Sequence, residues 1–237
     1  MAEGYGLAGM TETPIVIIEG MRPGPATGLP TWTGQVDLAF LLHAAQDEFP
    51  KIILTPGDAE EAYKMTMDAF NLADIYQTPV VVMIDKHLCE SHADIKPLEY
   101  KMYSIDRGKY SERKMNGYKR YELSKDGISL RIPAGRGAHV VANSDEHTEV
   151  GFSSEDSTNR ITQMSKRMQK LVTCAKVSMP EPIVYGPKIA KLSIVSWGSN
   201  KGAILEAMKE NPDVNFLHIT WMNPFPVEFV KKFLGGA

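Results

Sequence analysis

The apolar run Ile15-Val16-Ile17-Ile18 leads almost at once into Met21-Arg22-Pro23-Gly24-Pro25-Ala26-Thr27-Gly28-Leu29-Pro30-Thr31. The run reads as a buried strand bounded by Pro14 and Gly20. Residues 22–31 hold three prolines and two glycines, which excludes a helix and sets a stiff, defined loop. A strand followed by such a loop is the pattern of a parallel sheet whose strand ends carry ligand-binding connections. Here the loop displays one guanidinium, Arg22, with the hydroxyls of Thr27 and Thr31. Arginine presents a planar fork of donors that matches a carboxylate, and hydroxyls can complete the grip. A rigid connector with a surface arginine is the alternative that these residues leave open.

Beyond the loop the chain alternates strand and helix. Lys51-Ile52-Ile53-Leu54 reads as a short strand, and Thr55-Pro56-Gly57 turns it into a helix. Asp58 and Glu61 at that start form a capping-box pattern. Ala62, Ala69, Phe70, Ala73 and Tyr76 then fall on one helix face, Thr78-Pro79 ends the helix, and Val80–Ile84 is the next buried strand. Strand, helix, strand in this rhythm predicts an α/β fold with a parallel sheet and right-handed crossovers.

From Pro97 to Tyr185 the pattern loosens. Charged and aromatic residues mix through 100–121, and Ile132-Pro133-Ala134-Gly135-Arg136-Gly137 signals a loop. Residues 159–177 predict a basic helix with Lys166, Arg167 and Lys170 turned to solvent, and Pro180, Pro182 and Pro187 mark a linker. A second α/β unit follows, with strands over 192–196 and 214–219 and a helix over 202–210 between them. No internal repeat or low-complexity segment is present.

With 237 residues the chain can bury a sizeable core in one large or two small domains. A net charge of −3 with mixed signs gives no footprint for nucleic acid. No apolar run approaches the roughly 20 residues of a membrane span, and no basic-then-apolar leader opens the sequence, so a cytoplasmic location is expected. Cys89 and Cys174 are the only cysteines, too few for a disulfide framework or a four-thiolate cluster. An iron–sulfur centre would have to sit on another chain.

The remaining candidates are weaker. His87, His92, His139 and His147 lack a supporting cysteine or carboxylate pattern and read as surface residues, so no metal site is expected. Asp145-Glu146-His147 has the composition of a charge relay, but no nucleophile elbow accompanies it. Trp197-Gly198-Ser199-Asn200-Lys201-Gly202 suits a strand-to-helix turn able to cradle an anion. It matches neither dinucleotide nor P-loop fingerprints, and Lys201 reads as a solvated side chain at a helix start.

The loop segment resembles the R-x-G-P-S-T-G-L-P-T signature of the α subunits of 2-oxoacid:ferredoxin oxidoreductases. The resemblance continues in the same order through Gly6–Glu12, Pro56-Gly57-Asp58, Ala69–Ala73, Asp145-Glu146-His147, Trp197-Gly198-Ser199 with Lys201-Gly202, and Pro224-Phe225-Pro226. Ala26 departs from the usual serine and removes one hydroxyl.

The resemblance implies oxidative decarboxylation of a 2-oxoacid to an acyl-coenzyme A, with pyruvate and 2-oxoglutarate among the substrates and ferredoxin as electron acceptor. It implies thiamine diphosphate held at an interface with a β subunit, which carries magnesium and an iron–sulfur cluster, and coenzyme A as co-substrate. In that frame residues 1–96 are the later part of the pyrimidine-binding domain. Residues 97–187 connect to residues 188–237, the start of a domain similar to the C-terminal domain of transketolase. Arg22 would bind the substrate carboxylate and Thr31 would assist. The threonine-containing segment and the cofactor-activating glutamate of the family have no counterpart here. The chain therefore reads as a piece of a longer subunit, with no catalytic residue of its own and inactive alone. A partner-facing loop would expose apolar surface near Leu29, Trp32 and Val36. A non-catalytic binding or scaffold protein on the same fold is the alternative.

Overall fold

A computed structural model describes residues 1–95, 97 and 103–235. Lys96, at the expected first boundary, and Tyr100, at the start of the mixed segment, lie outside them. The first sheet holds β1 (Ile15–Met21), β2 (Ile52–Leu54), β3 (Pro79–Asp85) and a strand from far downstream, β7 (Trp221–Asn223), in the order β1-β3-β2-β7. Strands β1, β3 and β2 run parallel, whereas β7 joins β2 antiparallel, so the sheet is mixed. The second sheet has the order β4-β6-β5, from β4 (Ile183–Tyr185), β5 (Leu192–Trp197) and β6 (Val214–Ile219). There β5 and β6 are parallel and β4 is antiparallel to β6. The proline-flanked stretch read as a linker thus contributes an edge strand.

Helices surround the sheets: α1 (Ala2–Met10), α2 (Leu38–His43), α3 (Ala59–Tyr76), α4 (Lys86–Glu90), α5 (Ser157–Val177), α6 (Asn200–Met208) and α7 (Val227–Gly235). Alternation along β3 explains the layering, because successive side chains point to opposite faces. Val81 and Met83 join Ile53, Tyr5, Leu41 and Phe49 in one core, which also takes Leu217 and Ile219 of β6. Val80 and Val82 join Ile52, Leu54, Leu72, Tyr76 and Cys174 on the other face. The second sheet therefore shares a core with the first.

Four sequence readings change. Phe70 points outward, and Leu72 takes its place on the buried face of α3 with Ala69, Ala73 and Tyr76. Lys166, Arg167 and Lys170 are buried rather than solvated. Lys201 is largely buried in ion pairs with Asp58 and Glu61. His147 is fully buried and stacks on Tyr121 with ring centroids 3.9 Å apart.

The three basic residues of α5 turn inward because carboxylates from elsewhere meet them. Glu12, in the turn after α1, accepts from Lys166 at 2.5 Å and forms an ion pair with Lys170 at 2.6 Å. Lys166 also donates to Tyr121 O and Ser129 Oγ, Lys170 to Gln77 O, and Arg120 to the Glu12 carbonyl. Burial raises the Glu12 carboxyl, but Lys170, Lys166 and Arg120 outweigh it and hold the group well below its usual range. Burial also lowers the Lys170 ammonium to about 7, against the pull of Glu12. Arg167 forks onto both oxygens of Glu146 at 2.9 and 2.6 Å, and Arg160 adds a third bond. Asp145-Glu146-His147 is thereby a clamp on α5. Among the described residues, no helix is long and apolar enough to cross a membrane.

Candidate functional site

The signature loop leaves the C-terminal end of β1 and returns at α2, so it lies beside the ends of the parallel strands. All of residues 24–33 are exposed. Arg22, half-buried at the base, donates through Nη1 to the carbonyl of Thr27. The Leu29 N–H closes the same loop on Pro23 O at 3.0 Å. One edge of the guanidinium is thus committed to shaping its own loop. Among the described residues no carboxylate pairs with it.

Thr31 lies further along. It lines an open polar depression of about 350 Å³ with Thr33, Lys86, His87, Glu90 and Ser91. The His87 N–H donates to Thr33 Oγ1, which fastens this side of the loop to α4. No hydrogen bond joins the side chains of Arg22 and Thr31 among the described residues. Leu29, Trp32, Val36 and Phe40 all project large apolar surface, with Trp32 66% exposed. Ordinary surfaces carry single hydrophobes; four along one loop and the helix it enters are more than scatter.

Three groups near the loop were not picked out as site residues from the sequence. Glu19, on β1 just before the loop, has its carboxyl raised by burial and by Asp37. Asp85, at the end of β3, accepts from Ser199 Oγ at 2.6 Å, from the Leu88 N–H at 3.0 Å and from Gln35 Nε2 at 3.1 Å. Burial raises its carboxyl, yet these donors win and lower it. Gln35, the third, also donates to Trp197 O and accepts from Asn200. The Asp85 cap of α4 is a local hydrogen bond, whereas its contacts from residues 35 and 199 are not.

The strand-to-helix turn Trp197–Gly202 holds no free anion cradle. Ser199 spends its hydroxyl on Asp85, and Lys201 donates to Asp58 and Glu61, both at 2.5 Å. Burial alone would lower the Lys201 ammonium, but the two carboxylates raise it above the usual lysine value. Asp58 accepts from the Glu61 N–H and Glu61 from the Gly57 N–H, each at 2.8 Å, so the expected cap of α3 forms. His87 and His139 are exposed, and no three of His, Cys, Asp or Glu converge as metal ligands among the described residues.

A strand-end loop that carries hydroxyls and an arginine with no carboxylate partner among the described residues presents donors whose geometry matches a small carboxylate. By its sequence this chain belongs to the family described as "Pyruvate flavodoxin/ferredoxin oxidoreductase, thiamine diP-bdg", whose model matches residues 1–167. It is similar to the α subunit of 2-oxoacid:ferredoxin oxidoreductase 1 of Sulfurisphaera tokodaii, 42% identical over 242 residues, covering 100% of this chain and 38% of the relative. The α subunit of the Saccharolobus solfataricus 2-oxoacid:ferredoxin oxidoreductase is 43% identical over 246 residues, covering 100% of this chain and 39% of that protein. Among solved structures, the 2-oxoglutarate:ferredoxin oxidoreductase from Magnetococcus marinus with 2-oxoglutarate, coenzyme A and succinyl-CoA bound superposes with a TM-score of 0.90 at 32% identity. That match covers 100% of this chain and 42% of the other. The chain thus spans about two-fifths of the length of the relatives it matches.

Proposed function

We infer that this chain serves as part of the α subunit of a 2-oxoacid:ferredoxin oxidoreductase, in which Arg22 binds the carboxylate of the 2-oxoacid and Thr31 assists. The carrying observation is the half-buried Arg22, braced by Thr27 O and unpaired with any carboxylate among the described residues. Similarity to α subunits along the whole of this chain supports the same reading. Residues 1–96 act as the later part of the pyrimidine-binding domain, 97–187 as the connection, and 188–237 as the start of a transketolase C-terminal-like domain. The reaction takes a 2-oxoacid and coenzyme A to an acyl-coenzyme A and carbon dioxide, and passes two electrons through iron–sulfur clusters to ferredoxin in the cytoplasm.

The donors on the loop fit the substrate end of such a site. The reading gives this chain no ligand of the family's magnesium–diphosphate centre. That centre and the cluster belong on the β subunit in this reading. Bound thiamine diphosphate supplies the ring that takes up the electron pair left as carbon dioxide departs. The work of this chain is to hold the carboxylate by a charge-assisted fork and to keep it oriented while the bond breaks. The exposed row Leu29, Trp32, Val36 and Phe40 beside the loop is the surface that meets the β subunit.

The test is Arg22→Ala in the α subunit assembled with its partners, measured as 2-oxoacid-dependent reduction of a viologen dye with coenzyme A. Loss of a hydrogen-bonded charge contact predicts about a 10- to 100-fold fall in kcat/KM. Arg22→Lys restores little, because an ammonium cannot reproduce the bidentate fork. Thr31→Ala acts in the same direction more weakly, and Thr31→Ser is near silent. Wild-type kinetics in Arg22→Ala would refute the assignment.

A further inference from the structure

The loop is exposed from residue 24 to residue 33, yet its far end is bolted down chiefly at one side chain just beyond that stretch. Gln35 uses its whole amide. Nε2 donates to Asp85 Oδ2 at 3.1 Å and to Trp197 O at 3.2 Å, while Oε1 accepts from Asn200 Nδ2 at 3.0 Å. Trp197 ends β5 and Asn200 opens α6, so these bonds cross from the first sheet's loop to the second α/β unit. The crossing is built for close approach. Gly198 holds φ +63°, and a Cβ there would lie 2.6 Å from Gln35 Nε2. Asp85 fixes the other side, because it also accepts from Ser199 Oγ and the Leu88 N–H. Ser199 caps no helix N–H of its own, so its hydroxyl is free for this bond.

We propose that Gln35 is a positioning residue: it braces the Arg22 loop against the β5–α6 turn, so that the second α/β unit sets the geometry with which the loop receives a small carboxylate. This rests on the reading of Arg22 as the carboxylate-binding group. The 14 residues from Arg22 to Gln35 have few other anchors: the Arg22 and Leu29 bonds fold the loop on itself, and Thr33 makes one long bond of 3.3 Å to α4. Releasing Gln35 therefore leaves the tip tied mainly to its own base. Binding then bears the cost of re-ordering the loop, while the chemistry of the reacting carbon is untouched.

The experiment uses the α subunit in its native assembly, with Gln35→Met, which keeps length and removes every polar bond. Two readouts are taken together: amide hydrogen exchange of residues 26–34 by mass spectrometry, and KM and kcat for the 2-oxoacid. Loss of three hydrogen bonds, one of them to a carboxylate, predicts at least about 10-fold faster loop exchange and a KM raised by a similar factor, with kcat changed less than about twofold. Asn200→Ala, at an exposed position where folding is safe, removes one of the bonds and predicts about a fivefold change in both quantities. Arg22→Ala is run alongside. Unchanged loop exchange in both variants overturns the brace. Faster exchange with unchanged KM, in an enzyme where Arg22→Ala raises KM, overturns the link from brace to substrate. An Arg22→Ala without kinetic effect overturns the carboxylate reading instead, and loop exchange still reports on the brace.

Discussion

Replacing Glu12 by glutamine tests the most demanding feature of the interior. Glu12 is the carboxylate that Lys166 and Lys170 pair with and that Arg120 also faces, and it is fully buried, as is Lys170. Glutamine keeps the volume and tolerates the same left-handed backbone, φ 51° at this position, so packing and strain are held nearly constant. What changes is charge. Removing one partner of a buried ion pair costs about 3–5 kcal/mol, because the other charge is stranded away from water. Lys170, already lowered to about 7, can lose its proton and soften the loss, so the cost falls as pH rises. For a chain of this size about 3–5 kcal/mol corresponds to a Tm lower by roughly 6–20 °C. Urea and thermal unfolding of the assembled subunit at pH 6.5 and pH 9 measure it, with the larger loss expected at pH 6.5. Adding Lys170→Met to Glu12→Gln should return part of the stability, since an apolar side chain carries no stranded charge. A loss under about 1 kcal/mol at both pH values would refute the reasoning, because it would mean that water reaches these ammonium groups.

Acid should unfold the protein in two stages that follow from groups lowered by folding. His147 and His218 are held below 6.5, so the unfolded chain binds more protons and stability falls as pH drops through that region. Glu12 and Glu146, the latter held at about 2 by Arg167 and Arg160 against the effect of burial, stabilise fully above 4.5 and lose that contribution as pH approaches 2. A Tm-against-pH curve flat from pH 7 to pH 3 would contradict this. Gly127→Ala should cost at least about 2 kcal/mol, because Gly127 sits at φ +81° and a methyl would meet the Lys166 carbonyl at 2.5 Å and the Lys170 N–H at 2.8 Å. Chemical denaturation checks it, and a near-neutral result would show that the 124–127 turn can move away from α5.

Much of the architecture could be read from local pattern. Strands β1, β3, β5 and β6 are apolar runs between turn residues, and the cap at Asp58 is a local hydrogen bond, so nearby sequence carries their signal. The candidate loop was legible for the same reason: its prolines, glycines and arginine are contiguous. What escaped was non-local. Lys166 and Lys170 look like the solvent face of a basic helix until Glu12, more than 150 positions away, is set against them. Lys201 needed Asp58 and Glu61 from α3, and Gln35 needed residues 197 and 200. Strand β7 is three residues long, too short for any periodicity, and is defined by its pairing with β2.

That strand has a practical consequence for anyone who wishes to recombine this protein with its relatives. A crossover placed in the proline-rich stretch 180–187 looks like a clean seam, yet it separates β2 from the strand that covers its outer edge and divides a core holding both Ile53 and Leu217. Chimeras joined there would pair a host sheet with a foreign closing strand, and the mismatch would fall at buried Trp221 and Met222. Grafts should instead carry residues 52–54 and 214–223 from one parent, so that the stitch between the two sheets is inherited whole.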